Sequence, residues 1–251
     1  MPELFEQLKG NYRFLSGIAP YSSGVAAMPG YEIVHAVLQQ PLPYRQGFEL
    51  IARHLDAHNR PRQALCAIEL RSPKPFTFDG FTEFNEGYQT ILARWDLPVD
   101  GRNPVARTNV APEVNPPAEP VLYGFSYTVP ADTSQSTFVI AGAGDLIRQG
   151  LQPEAIIRAG ETSAEAMQEK AIHVMETMQN RLTGLRMDWA NVTAVDIYTV
   201  QTLQPYLAST ILAQMGPAAI HSVHWYYSRP PISGLEFEMD MRGVRQEIWL
   251  V

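Results

Sequence analysis

The order of predicted secondary-structure elements repeats once along this chain. Between residues 18 and 130, hydrophobic patterning predicts a strand, an amphipathic helix, a strand, a second helix and two closing strands. A similar order follows between residues 137 and 251. An internal repeat usually reflects a repeated structural unit. The sequence therefore predicts an α+β protein made of two tandem units, each a β-sheet with two helices on one face.

A polar, turn-rich junction from Val129 to Thr137 separates the two predicted units. We expect a first domain over residues 1–130, with an N-terminal extension over 1–16, and a second domain over 137–251. Apolar spacings of three and four predict helices over residues 41–60, 78–95, 160–182 and 203–215. The methionine stripe of the third helix is typical of a packed core.

Composition limits the partners and the compartment of the protein. The net charge of −7 argues against nucleic acid and anionic membranes as partners. No apolar run has the length of a membrane span, and the N-terminus shows no charged-then-apolar leader. The single cysteine, Cys66, cannot form an internal disulfide and lies in a predicted buried strand. These features favour a soluble cytoplasmic protein.

Several short motifs, in the same order in both halves, resemble the Rid/YjgF imine deaminase family. They are IAPYSSGV at 18–25, ALCAIELRS at 64–72, NPVARTNV at 103–110, FVIAGAGDL at 138–146 and LEFEMDM at 235–241. The resemblance implies two chorismate-mutase-like α+β domains and hydrolysis of imines or enamines derived from amino acids. It also implies trimers with small-molecule sites between subunits. Because three chains supply six domains, we expect a homotrimer.

The resemblance also implies a site made from both halves. Arg107 matches the arginine that holds the substrate carboxylate, and Tyr21 matches the tyrosine of the opening motif. Glu236 matches the glutamate thought to activate water, whereas Tyr123 or Leu122 stands at that position in the first half. His221, fifteen positions before Glu236, stands where the second arginine would be. We therefore expect Arg107, Tyr21 and Tyr123 to bind substrate and Glu236 and His221 to act in catalysis. The alternative is that one or both copies have decayed into scaffold.

Three acidic residues near the C-terminus, Glu236, Glu238 and Asp240, alternate with apolar residues. Such alternation places all three on one strand face, which predicts a polar cleft there. An arginine fork suits a carboxylate, and a carboxyl or imidazole group suits proton transfer to and from water. An imine is already electrophilic, so we expect no cofactor and no metal.

The sequence thus predicts a cofactor-free hydrolase or deaminase. Its substrate would be a small carboxylate bearing an imine, enamine or amide, as in the breakdown of an aminated aromatic acid. Two alternatives stay open at this point. One is a non-catalytic protein that binds a small acid or supports an assembly, and the other is a chorismate-type or ring-opening hydrolase.

Overall fold

A computed structural model describes residues 3–147 and 152–251. Its main helices are α1 (Tyr44–Ala57), α2 (Phe78–Arg94) and α3 (Ala164–Gly184). The strands are β1 (Leu4–Gln7), β2 (Tyr12–Leu15), β3 (Gly24–Ala27), β4 (Tyr31–Pro43), β5 (Leu65–Arg71), β6 (Ala106–Pro112), β7 (Val121–Pro130), β8 (Phe138–Gly144), β9 (Ala194–Tyr198), β10 (His224–Tyr226), β11 (Ser228–Arg229), β12 (Glu238–Gly243) and β13 (Gln246–Leu250). Within the described ranges, no helix is long and apolar enough to cross a membrane.

The strands form two sheets, and each sheet takes strands from both halves of the chain. A seven-stranded sheet has the order β1-β2-β3-β8-β12-β9-β10, and a six-stranded sheet has the order β11-β6-β5-β7-β4-β13. The N-terminal strand β3 pairs antiparallel with β8, and the C-terminal strand β13 pairs in parallel with β4. The prediction of two separate chorismate-mutase-like units is therefore wrong. Periodicity identifies strands, but contacts between distant segments decide their partners.

The helices also differ between the two halves. Helices α1 and α2 pack on the six-stranded sheet through an apolar cluster that includes Phe48, Ile51 and Tyr88. Helix α3 packs on the seven-stranded sheet, and its methionine stripe is buried there, as predicted. The fourth predicted helix instead contains a π-helical turn (Leu207–Leu212), one α turn (Ala213–Met215) and a 3-10 segment (Gly216–His221). Among the described residues, two regular helices thus lie in the first half and one in the second.

A third apolar cluster contains residues from strands of both sheets, among them Tyr12, Phe14, Cys66, Ala106 and Ala141. Contacts between β6 and β8 also link the sheets directly. The junction at residues 131–136 lies between β7 of one sheet and β8 of the other. The proposed domain boundaries, 1–130 and 137–251, stay a prediction, and residues 1–2 and 148–151 lie outside the described part.

Candidate active site

Residues of both sheets and of helices α2 and α3 line a cavity of about 390 Å³. This volume lies within the usual range for small-molecule sites, roughly 300–1,000 Å³. Five titratable side chains are present among its described lining residues: Tyr21, Arg107, His173, Arg181 and Glu238. Apolar residues, including Phe81, Ile232 and Leu235, form much of the remaining wall. The cavity thus combines an apolar wall with a small set of charged groups.

Arg107 of β6 is the most unusual group in the cavity. It is only 3% exposed, yet its Nη1 and Nη2 atoms have no hydrogen-bond partner in the described part of the chain. Its guanidinium lies 4.7 Å from the ring centroids of both Tyr21 and Tyr88, which attract a cation weakly. Burial lowers the pKa of Arg107. The nearby tyrosines and Glu238 partly oppose this shift. A buried cation with two unused donors is suited to bind an anion.

A second arginine, Arg181 of α3, reaches the same cavity. Its Nη1 donates hydrogen bonds to the carbonyl oxygens of Ala141 at 2.7 Å and Gly142 at 3.4 Å. These carbonyls lie where the register between β8 and β12 shifts, which is a bulge in the ladder. Bulges leave backbone groups unpaired and are frequent beside active sites. The arginine therefore satisfies the bulge and brings a second positive charge to the cavity.

Glu238 is the first residue of β12 and lines the same cavity, where it interacts electrostatically with both Arg107 and Arg181. It is 4% exposed, and burial raises its pKa well above the ordinary value, with a further increase from Asp240. Arg107 and Arg181 oppose this shift but do not cancel it. Such a carboxyl group keeps its proton to a higher pH than an exposed glutamate does, which suits it to donate that proton.

Two features hold Glu238 in place. Gly142 leaves room for it, because a Cβ atom at position 142 would collide with the Oε1 atom of Glu238. Just before β12, the Asp145 carboxylate accepts hydrogen bonds from the backbone N–H groups of Glu236, at 3.1 Å, and Phe237, at 3.4 Å. Asp145 is itself paired with Lys170 at 2.6 Å, and both side chains are fully buried. This buried pair anchors the chain where β12 begins.

The polar residues of α3 that reach the cavity follow one helical stripe. His173, Thr177, Asn180 and Arg181 stand at positions i, i+4, i+7 and i+8, and all four line the cavity. The Nε2 atom of His173 is 2.7 Å from the carbonyl oxygen of Leu146. Because a carbonyl oxygen only accepts hydrogen bonds, Nε2 carries the proton when the ring is neutral. The other ring nitrogen, Nδ1, then has a free lone pair.

The structure brings together only part of the predicted site. Arg107 and Tyr21 both line the cavity, and burial raises the pKa of Tyr21. Glu236 is outside its lining and accepts a hydrogen bond from Gln201 at 3.1 Å. His221 is exposed at the end of a 3-10 segment instead of lying on a closing strand, and Tyr123 stacks under the Arg71 guanidinium at 3.8 Å. These three stay predictions without support from the cavity.

Sequence reasoning missed Arg181 and His173 and gave no catalytic role to Glu238. The alternation of acids did indicate the polar face on which Glu238 lies. The sequence of α3 also contains the polar stripe that lines the cavity. The methionines on the neighbouring stripe, however, favoured interpreting this helix as part of the core. A single helix can cover a core with one stripe and line a cavity with the next.

Comparison with known proteins identifies the family. A family model described as 2-aminomuconate deaminase CnbZ matches residues 4–248. The chain is also 41% identical over 251 residues to a 2-amino-5-chloromuconate deaminase of Comamonas testosteroni, covering 98% of this chain and 99% of the relative. The chain therefore belongs to the 2-aminomuconate deaminase CnbZ family. Assignment to the Rid/YjgF family is wrong, whereas the broader prediction of a deaminase agrees with this membership.

Two solved structures resemble the chain at low sequence identity. A chorismatase has a TM-score of 0.46 and 8% identity, covering 88% of this chain and 77% of that chain. A cyanuric acid hydrolase from A. caulinodans has a TM-score of 0.41 and 10% identity, covering 89% of this chain and 69% of that chain. The homotrimer was expected because Rid/YjgF proteins assemble as trimers. Since the chain belongs to another family, that reason no longer applies, and the homotrimer stays an untested prediction.

Proposed function

We propose that this protein releases ammonia from a 2-aminomuconate-type substrate by hydrolysis in the cavity around Arg107. Family membership supports the reaction class. The observation that carries the assignment to this cavity is the buried Arg107 guanidinium, whose two terminal nitrogens lack partners among the described residues. A substrate carboxylate would accept two parallel hydrogen bonds from such a fork. Binding would thereby compensate a charge that the free protein leaves unpaired.

The charges of the cavity favour a dicarboxylate. Arg107 and Arg181 supply two positive charges, and Glu238 is neutral while it holds its proton. A muconate-type substrate is an unsaturated six-carbon acid with a carboxylate at each end, so its two negative charges match. The apolar wall formed in part by Phe81 and Ile232 suits the carbon chain between the carboxylates. A monocarboxylate would leave one cation unpaired in a mostly buried site.

The 2-amino group of such a substrate is an enamine, and its hydrolysis requires proton transfers and one water. A proton added to a carbon of the conjugated chain converts the enamine into an iminium ion, which water attacks. Glu238 is the proposed proton donor, since burial favours its protonated form and it lines the cavity together with the two arginines. This scheme uses no cofactor, which remains an expectation, as does a cytoplasmic location.

The test is ammonia release from 2-aminomuconate by the purified protein, measured above the rate in buffer. A substrate of the same length with one carboxylate replaced by an amide serves as the matched comparison. We expect ammonia and a 2-oxo acid in equal amounts, with the diacid strongly preferred. Tight binding of the diacid without any ammonia would instead favour the non-catalytic alternative.

A further inference from the structure

We propose that His173 is the general base of this site, taking a proton through Nδ1 from the water that attacks the iminium carbon. This inference rests on the proposed function and assigns a second catalytic residue to it. It begins from the hydrogen bond of 2.7 Å between His173 Nε2 and the Leu146 carbonyl oxygen. That bond fixes the ring orientation and the tautomer, as the partner of a catalytic histidine commonly does. The remaining lone pair belongs to Nδ1.

Elimination among the cavity's described titratable groups leads to the same residue. Arg107 and Arg181 have no acceptor atoms. Burial raises the pKa of Tyr21, which keeps its hydroxyl protonated. Burial favours the protonated form of Glu238, and in that form Glu238 must release its proton before it is able to accept another. His173 is the remaining side chain in this set that offers a basic lone pair while neutral.

Asp145 and Asp240 are nearby carboxyl groups, but neither fits the role of base. Asp145 is fully buried against Lys170 and accepts backbone hydrogen bonds at the start of β12. Asp240 accepts a hydrogen bond from the Tyr198 hydroxyl at 3.0 Å, and burial raises its pKa well above the ordinary value. Neither residue lines the cavity.

Glu238 and His173 then divide the reaction between them. The Glu238 carboxyl protonates a carbon of the enamine, giving an iminium ion and a Glu238 carboxylate. Water oxygen bonds to the iminium carbon, the C=N π electrons move to nitrogen, and the water proton moves to Nδ1 of His173. Protonated His173 next transfers this proton to the amine. The C–N bond breaks with its electrons leaving on ammonia, and the Glu238 carboxylate takes the hydroxyl proton as the carbonyl forms. Both residues return to their starting states, and the sum is substrate plus water giving 2-oxo acid plus ammonia.

His173→Gln separates this role from a structural one. A glutamine amide is able to donate to the Leu146 carbonyl oxygen as Nε2 does, but it has no basic nitrogen. Two measurements on 2-aminomuconate in D₂O are required: ammonia release, and exchange of the chain hydrogens, which reports reversible protonation by Glu238. We expect ammonia release to fall by about 10²–10⁴-fold, the usual contribution of a general base. We expect hydrogen exchange to continue, with KM little changed.

Two control variants calibrate the result. Glu238→Gln should abolish both exchange and ammonia release, because protonation at carbon comes first. His58→Gln, at the exposed end of α1 and away from the cavity, should leave both unchanged. His173→Asn provides the same readout should His173→Gln fold poorly.

Ammonia release by His173→Gln at close to the wild-type rate would overturn the proposal. His173 would then have only a structural role, through its hydrogen bond to the Leu146 carbonyl oxygen. Loss of exchange together with release, in a variant that still binds muconate, would also overturn it, because His173 would then act in the carbon protonation. If the wild-type protein itself released no ammonia, the result would contradict the proposed function and not the role of His173 alone. The two failures are therefore distinguishable.

Discussion

Replacement of Arg107 by methionine should abolish activity without destabilising the free protein. Arg107 and Arg242 are both buried arginines, 3% and 5% exposed, but their surroundings differ. Arg242 pairs with Asp196 at 2.7 Å and with Glu247 at 2.8 Å, whereas the Nη atoms of Arg107 have no partner in the residues described. The same substitution at the two positions therefore removes a paired charge in one case and an unpaired charge in the other.

The expected changes in the free energy of unfolding follow from this difference. Breaking a buried ion pair by removing one partner costs about 3–5 kcal/mol, which we expect for Arg242→Met. Arg107→Met breaks no pair, and it removes a desolvation penalty of several kcal/mol. It also loses the contacts with aromatic rings, worth about 0.5–2 kcal/mol each. We expect the free energy of unfolding to stay unchanged or to rise by up to about 3 kcal/mol.

The assay is thermal unfolding of the wild type and of both variants, with and without muconate. One kcal/mol corresponds to about 2–4 °C in Tm for a chain of this size. Arg242→Met should thus lower Tm by roughly 6–20 °C, while Arg107→Met should keep or raise it. Muconate at about 100 times its Kd should stabilise the wild type by about 2.7 kcal/mol, and this gain should shrink strongly in Arg107→Met. A fall in Tm for unliganded Arg107→Met as large as for Arg242→Met would refute the argument, because Arg107 would then be a structural residue.

Two further predictions concern Glu238. Burial keeps its carboxyl protonated to a higher pH in the folded protein than in the unfolded chain, so the contribution of Glu238 to wild-type stability falls as pH rises above about 4.3. Glu238→Gln should therefore gain stability relative to wild type between pH 5 and pH 8 and show no gain below pH 4, as measured by urea unfolding; a gain independent of pH would contradict this. Gly142→Ala should displace the Glu238 carboxyl, because the added Cβ would meet its Oε1 atom. We expect a loss of stability of about 1–3 kcal/mol and a larger proportional loss of kcat, whereas unchanged kinetics would show that the carboxyl tolerates displacement.

The sequence predicted local elements better than their partners. The helices α1, α2 and α3 were predicted near their observed positions because each shows an apolar stripe with helical spacing. The predicted helix at 203–215 instead forms short helical turns, since Pro205 lies near its start and Gly216 and Pro217 follow directly. The pairing of β3 with β8, and of β13 with β4, depends on contacts between residues more than a hundred positions apart. No local pattern encodes such contacts.

The residues of the candidate site were likewise predicted where a local sequence pattern marks them and missed where tertiary structure brings them in. Arg107 and Tyr21 were identified from short motifs, and the alternation of acids indicated the strand face that holds Glu238. The choice of Glu236 depended on a spacing from another family, whereas in this fold Glu236 precedes β12 and lies outside the cavity lining. Arg181 enters the site only because α3 crosses the bulge of β8, which is a tertiary arrangement.

The most direct test of the central claim is a crystal structure with muconate, which lacks the amino group and cannot be deaminated. The account predicts one carboxylate about 2.7–2.9 Å from Nη1 and Nη2 of Arg107, with the second carboxylate beside Arg181. Muconate bound elsewhere, or seated in the cavity with both carboxylates away from Arg107, would contradict it.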